Sequence, residues 1–434
     1  MNPIKEIAKI KAPKYINTSI VSKLGGVNLT MEDILKIALS ARLNIGLGGG
    51  SGMGKSQLIA DAMSFFGNNA TYVLGRNDLD IKQLFMQMNF AKLNEAMQSG
   101  GSVSQKDISN ITSDICRPLV VVEEINRCAE IVQNQLFNIF EGYIELGGKK
   151  YALGKSDMVT IKDTDGTERT INLTYSVGLW SANFGNGQYT GTVPMDKALK
   201  ERSHLIIDVD NFVPKSGDID RILLGSEGEV RLKETEGEDL TKKIIQANAY
   251  LRQQAKNPDK EELPYELLIF RYLVDGLAYI PVETANNDKR KMKEVWPSKA
   301  EEDNIGTTDN EKIMYRMIFP CSIRSAETIM TLARAMREYV RAADPKAEPT
   351  VIDSVAESFK IVAPYSGIID NPQRVREDYV GNNYLAGCAA AEIIREKIQD
   401  NMGLLDAVVH FKITGEPMPQ KIVNECKKDF ECLK

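Results

Sequence analysis

Hydrophobic and polar positions along the chain alternate between two rhythms. From Thr30 onward, Ile34, Leu35, Ile37 and Ala38 recur at the spacing of a helix's buried face, and Thr30 and Asp33 are placed as a capping pair. A short apolar strand is predicted over residues 43–47, followed by helical spacing over 55–66 with Leu58, Ile59, Ala62 and Phe65 on one side. Residues 71–74 read as a strand. Residues 80–98 read as one helix, with Ile81, Leu84, Phe85, Met88, Leu93 and Met97 inward and the methionines as core filler. Apolar runs at 119–122, 177–182 and 205–209 bring the predicted strands to five. Strands alternating with helices predict a parallel sheet covered on both faces.

The alternation breaks between 142 and 175. Residues 142–153 read as a hairpin, and 158–162 with 167–173 as a β-ribbon around Asp165-Gly166, a strong hairpin-turn dipeptide, with charges at Asp163, Asp165 and Glu168 suiting a solvated tip. Beyond Asp210 the segment 225–239 is acidic and polar, 240–254 is helical, and 286–310 is so charged that a mobile loop is expected. Helical patterning returns over 313–364, where Ile329, Leu332, Ala333 and Met336 form one stripe. The divisions this suggests are a leader (1–29), a core of alternating strands and helices (30–210, hairpin insertions about 142–175), a linker or insertion with helices (211–310), a helical segment (311–369) and a helical extension (370–434).

Composition narrows the function classes. A chain of 434 residues exceeds one ordinary core. No apolar run approaches the roughly 20 residues that span a bilayer, and the first ten residues lack a secretory signal's apolar stretch, so a cytoplasmic protein with no membrane insertion is expected. Six irregularly spaced cysteines and two histidines fit neither a disulfide framework nor a zinc site. A net charge of −6 argues against wholesale nucleic-acid binding.

The chemistry concentrates in two places. Gly49-Gly50-Ser51-Gly52-Met53-Gly54-Lys55-Ser56 matches G-x-x-x-x-G-K-[ST] in full, between a predicted strand and a predicted helix. Glycines allow left-handed backbone that turns amides inward around phosphates. Lys55 neutralises the outer phosphates, Ser56 offers a hydroxyl to Mg²⁺, and the helix N-terminus carrying Gln57 adds its positive end. ATP and Mg²⁺ are therefore the expected cofactors. The second place is the apolar run 119–122 followed by Glu123 and Glu124. At the carboxyl end of a parallel strand, the first carboxylate can hold the metal, partly through water, and the second can orient or deprotonate the attacking water.

The run Glu123-Glu124-Ile125-Asn126-Arg127, then Gln133, Leu136, Phe137 and Glu141, resembles the MoxR group of AAA+ ATPases, whose pattern is D-E-I-N-R-A, a helix with Q-x-x-L-L-x-x-M, and a closing acidic residue. Trp180-Ser181-Ala182-Asn183 is similar to that family's sensor 1. The stretch 187–202, with Tyr189, Pro194 and Ala198-Leu199-Lys200-Glu201-Arg202, is similar to its G-x-Y-x-x-P and A-x-x-D-R-F segment. Ser322-Ile323-Arg324 is similar to its sensor 2. The likeness spans roughly residues 24–340. Glu123 stands where the family usually has Asp, Ser203 where it has Phe, and Ile323 where it has Pro.

The resemblance implies an AAA+ P-loop core with a five-stranded parallel sheet and β-hairpin insertions, followed by a helical lid. It implies that Asn183 holds the attacking water or γ-phosphate, that Arg324 reaches the same phosphate from the lid, and that Arg202 points into a neighbouring subunit's nucleotide. It further implies a hexameric ring, a pore-facing hairpin at 142–153, and protein substrates, among them partners with a von Willebrand factor A domain. Two other readings remain: a nucleic-acid motor touching phosphates through Lys149, Lys150 and Lys155, and an assembly factor with little turnover.

Overall fold

The computed structural model describes residues 2–425 except 13, 100–108, 147, 163–167, 185–199, 201, 226–237, 257–258, 278–317, 319–320 and 370–371. Five strands form a wholly parallel sheet in the spatial order Leu205–Asp208, Ile45–Gly48, Val177–Ser181, Leu119–Glu123, Ala70–Leu74. The period of two divides each strand between two cores. Ile45, Leu47, Leu119, Val121, Leu179 and Ile207 face one side with Leu58, Ile59 and Ala62 of the helix Lys55–Ser64. Val120, Val122, Trp180 and Ile206 face the other with Leu136, Ile139 and Phe140 of the helix Glu130–Phe140. Both faces are covered, which is why the strands read as unbroken apolar runs.

The predicted capping pair is present: Thr30 accepts from the Asp33 N–H while Asp33 accepts from Thr30, opening the helix Met31–Ala41. The expected leader, residues 1–29, packs on the rest of the chain. The helix Pro3–Lys9 buries Ile4 and Ile7 against the helices Thr241–Lys256 and Ile323–Ala343, and Ile20–Leu24 pairs with Val27–Thr30.

One predicted helix is corrected. Residues 80–98 split into the helix Ile81–Phe85, the strand Met86–Met88 and the helix Phe90–Ser99, because Met86–Met88 pairs antiparallel with Ser109–Ile111. Met88 and Met97 are exposed, so they are not core filler. The hairpin Tyr143–Leu146 with Lys149–Ala152 and the ribbon Lys155–Lys162 with Glu168–Tyr175 stand where hairpins were expected. The Asp165-Gly166 turn, most of 225–239, the loop 286–310, and Tyr189 and Pro194 lie outside the described residues.

The carboxyl-terminal region is helical. Ile323–Ala343 packs on Val351–Val362, which packs on Asn383–Asp400, and Ser322 caps the first by accepting from the Ser325 N–H. Buried Arg337 pairs with buried Glu266 and donates to the Ser354 hydroxyl at 2.7 Å, tying these helices to Glu262–Arg271.

Candidate active site

The loop 49–54 leaves the carboxyl end of the fully buried strand Ile45–Gly48. Gly49, Gly52 and Gly54 have φ of 134°, 81° and 78°, so the backbone takes the left-handed turns that side chains resist. Close approach adds a second demand. A Cβ on Gly48 would lie 1.8 Å from the Phe184 ring, and one on Gly46 would lie 2.1 Å from the Trp180 indole.

Lys55, the first residue of the helix, is buried, and its ammonium donates to the carbonyls of Gly49 (2.9 Å) and Gly50. Burial lowers its pKa, and Asp210, Glu124, Asp208 and Glu123 oppose that shift by attraction. The lysine thus lies among four carboxylates that favour its charged form. Two of them, Asp208 and Asp210, carry no sequence motif. The Asp210 carboxylate accepts from the Gly50 N–H at 2.9 Å and pins the loop to the end of the strand Leu205–Asp208. Asp208 accepts from the Tyr365 hydroxyl at 3.0 Å, and burial raises its pKa.

Ser56 donates to Glu123, so the two oxygen donors expected for magnesium converge on one point, as a small hard cation requires. Tyr72 also donates to Glu123, at 2.6 Å. Burial, with Glu123 beside it, pushes that phenol well above its ordinary pKa, so it remains a donor. Glu124 adopts a left-handed backbone, φ 55° and ψ 46°, where its N–H donates to the Ser181 hydroxyl at 3.1 Å and its carboxylate meets Arg127 at 2.9 Å. A non-glycine residue there stores local strain, a common feature of working side chains. Asn183 follows the strand Val177–Ser181; its carbonyl accepts from Asn126 at 3.0 Å, and the next residue, Phe184, donates to the Gly49 carbonyl at 3.4 Å. Asn183 thus lies at the rim of the loop.

Arg202 and Arg324 are elsewhere. Arg202 pairs with Glu141 at 2.8 Å, and Arg324 reaches the same Glu141 oxygen at 3.5 Å. Buried Asn44, just before the strand Ile45–Gly48, holds this region together: its amide donates to the carbonyls of Phe140 (2.6 Å) and Arg202 (3.2 Å) and accepts from the Gly178 N–H (2.9 Å). Asn44 marks the amino end of the sheet and the P-loop marks the carboxyl end. A four-residue strand at ~3.3 Å per residue separates them by roughly 13 Å. The expectation that Arg324 reaches the phosphate bound by its own Lys55 is therefore corrected: the helix Ile323–Ala343 delivers it beside Arg202, on the opposite edge.

Arg42, Arg202, His204, Arg252 and Arg324, with Glu141, line a cavity of about 430 Å³ at that edge. His204 accepts from the Asn44 N–H through Nδ1 at 2.9 Å, which puts the proton of the neutral ring on Nε2. Burial first, then the charges of Arg324 and Arg42, push its pKa down to about 4.

Residues 44–156 match the family model of the AAA domain, dynein-related subfamily. Among solved structures, a protein of Cytophaga hutchinsonii ATCC 33406, provisionally described as an ATPase, shares the fold with a TM-score of 0.52 at 14% identity, over 88% of this chain and 93% of that one. No curated protein matches the sequence. Fold and matched segment together define an AAA+ ATPase-like domain followed by a helical carboxyl-terminal region. The matched segment holds the P-loop and both glutamates, and so implies nucleotide binding; Asn183, Arg202 and Arg324 lie beyond it. No helix among the described residues is long and apolar enough to cross a membrane.

Proposed function

We propose that this chain is a MoxR-like AAA+ ATPase that hydrolyses Mg-ATP between adjacent subunits of a ring, with a hexamer as the expected closure, and uses the cycle to remodel or assemble a partner protein. The observation that carries this reading is the separation of the two halves of the chemistry. Lys55, Ser56, Glu123, Glu124 and Asn183 gather at the carboxyl edge of the sheet, while Arg202 and Arg324 share Glu141 at the amino edge.

In this reading the loop amides and Lys55 bind the triphosphate, and Ser56 and Glu123 would hold a magnesium ion, whose charge would offset that of the outer phosphates. Glu124 orients and deprotonates water, and Asn183 positions it. Arg202 and Arg324 stabilise the transferring phosphoryl group bound by the neighbouring subunit. A cytoplasmic setting and a partner with a von Willebrand factor A domain extend the MoxR likeness.

The test mixes two inactive variants. Arg202→Ala and Lys55→Ala proteins together create some interfaces that combine a native P-loop with a native finger, and partial ATPase activity should return. A mixture that stays inactive while both variants assemble, or a dilute monomer that hydrolyses at full rate, would defeat the reading.

A further inference from the structure

The cavity at the amino edge holds more positive charge than two phosphate-reading arginines need. Arg42, Arg202, Arg252 and Arg324 line it, and Glu141 is its only carboxylate among the described residues. His204 is neutral at ordinary pH because its pKa lies near 4. The lining therefore carries four positive charges against one negative. Burial lowers the pKa of both Arg42 and Arg252, and the Arg42 charge further disfavours that of Arg252. Grouping like charges in a half-buried hollow is costly unless an anion enters.

Arg42 is also held in place for a task. It ends the helix Met31–Ala41 with a left-handed backbone, φ 59°, at a position where glycine or asparagine fits with less strain. Its Nε donates to the Ser176 carbonyl at 3.0 Å, which fixes one side of the guanidinium at the cavity lining. A strained backbone, a fixed head group and an excess of charge are three independent observations at one residue.

We infer that Arg42, supported by Arg252, is a further phosphate-binding residue acting in trans: with Arg202 and Arg324 it receives the triphosphate held by the neighbouring subunit's P-loop. This deepens the ring reading above and rests on it. Glu141 is then the internal anion that occupies Arg202 and Arg324 before the neighbour's phosphates arrive, whereas Arg42 meets the phosphates directly.

The test separates Arg42 from a purely structural arginine. In Arg42→Gln, ATP affinity of the dilute monomer, read with a fluorescent ATP analogue, should match the native chain, since its own P-loop is untouched. Turnover of the concentrated protein should fall on the order of ten- to a hundredfold, the scale of one charge-assisted hydrogen bond. Adding Lys55→Ala protein, which supplies an intact Arg42 to the variant's P-loop, should restore activity, and Arg42→Lys should turn over at an intermediate rate. Arg252→Gln, which leaves the bond to Ser176 in place, should show the same pattern with a smaller loss and serves if Arg42→Gln does not fold.

If Lys55→Ala rescues Arg202→Ala but neither Arg42→Gln nor Arg252→Gln, both arginines are structural and the inference fails while the ring reading stands. If it rescues none of them, the ring reading fails and this inference with it. Saturable binding of inorganic triphosphate by the dilute Lys55→Ala monomer, unaffected by added ATP-loaded Arg202→Ala subunits, would assign the cavity to a free anion and also overturn the proposal.

Discussion

The two edges of the sheet are electrostatic opposites. At the carboxyl edge one buried lysine is surrounded by Asp208, Asp210, Glu123 and Glu124. At the amino edge, among the described residues, four arginines and one glutamate line the cavity. Neither arrangement is balanced by itself. Under the proposed function the acidic edge would take a magnesium-bound nucleotide, its metal toward the carboxylates and its phosphates toward Lys55, and the basic edge would take the same phosphates from the other side. In the proposed ring, two copies set edge to edge would supply to each other what each lacks, with the nucleotide between them.

The largest expected effect breaks the acidic edge at its centre. Lys55→Ala should abolish ATP binding or hydrolysis, measured by calorimetry and phosphate release, because the loop has no second cation at that point. Unchanged affinity and turnover would mean that the loop does not bind phosphate. Next comes the basic edge: Arg202→Ala should slow turnover by roughly a thousandfold in the assembled protein while leaving nucleotide affinity of the monomer intact. A loss of monomer affinity would place Arg202 in its own subunit's site.

Glu124→Gln should bind ATP and magnesium normally yet turn over at least about a hundredfold more slowly, the scale of a missing base. If Glu123→Gln gives that phenotype instead, the two carboxylates exchange roles. A milder effect sharpens the comparison as a whole. If the edges attract, ATP-dependent assembly followed by light scattering should weaken as salt rises past about 0.15 M, where charges are screened beyond ~8 Å. Assembly indifferent to salt would assign the interface to apolar packing.

The smallest effect concerns pH. The His204 pKa falls from an ordinary 6.5 to about 4 in the folded chain, so between those values the unfolded chain binds more protons. Stability should rise with pH across that window and be lost as pH falls through it, by on the order of 3 kcal/mol. Urea melts of the native chain and of His204→Gln, compared between pH 7 and pH 4.5, test this; an identical slope in both would clear His204 of responsibility.

Much of the acidic edge was legible in the sequence because it is built from contiguous motifs. Gly49 to Ser56 and Glu123-Glu124 each carry their chemistry on one turn, and strand spacing positions them. Thr30 and Asp33 were readable for the same reason: a cap is local. The basic edge is assembled from five separate segments, those holding Arg42, Glu141, Arg202 with His204, Arg252 and Arg324, and no spacing rule joins them. Asp210, Tyr72 and Asn44 were missed because each acts through a partner at least 51 residues away. Arg324 was found as a residue and misplaced in space, since its position depends on where the helix Ile323–Ala343 docks. The split helix at 81–99 shows pairing with a remote strand overriding local periodicity.

Ser203 stands where the resembling family has phenylalanine, and the structure gives it a partner: its hydroxyl accepts from the Trp180 indole N–H at 2.7 Å. Trp180 is fully buried, lies on the strand that leads to Asn183, and touches Ser203, the residue next to Arg202. The chain has two tryptophans, and the other, Trp296, lies outside the described residues. Indole emission responds to the hydrogen bond at its nitrogen and to nearby charge. In a Trp296→Phe background, this single fluorophore would report from inside the molecule, without any label, whether a neighbour's phosphates draw Arg202 away from Glu141.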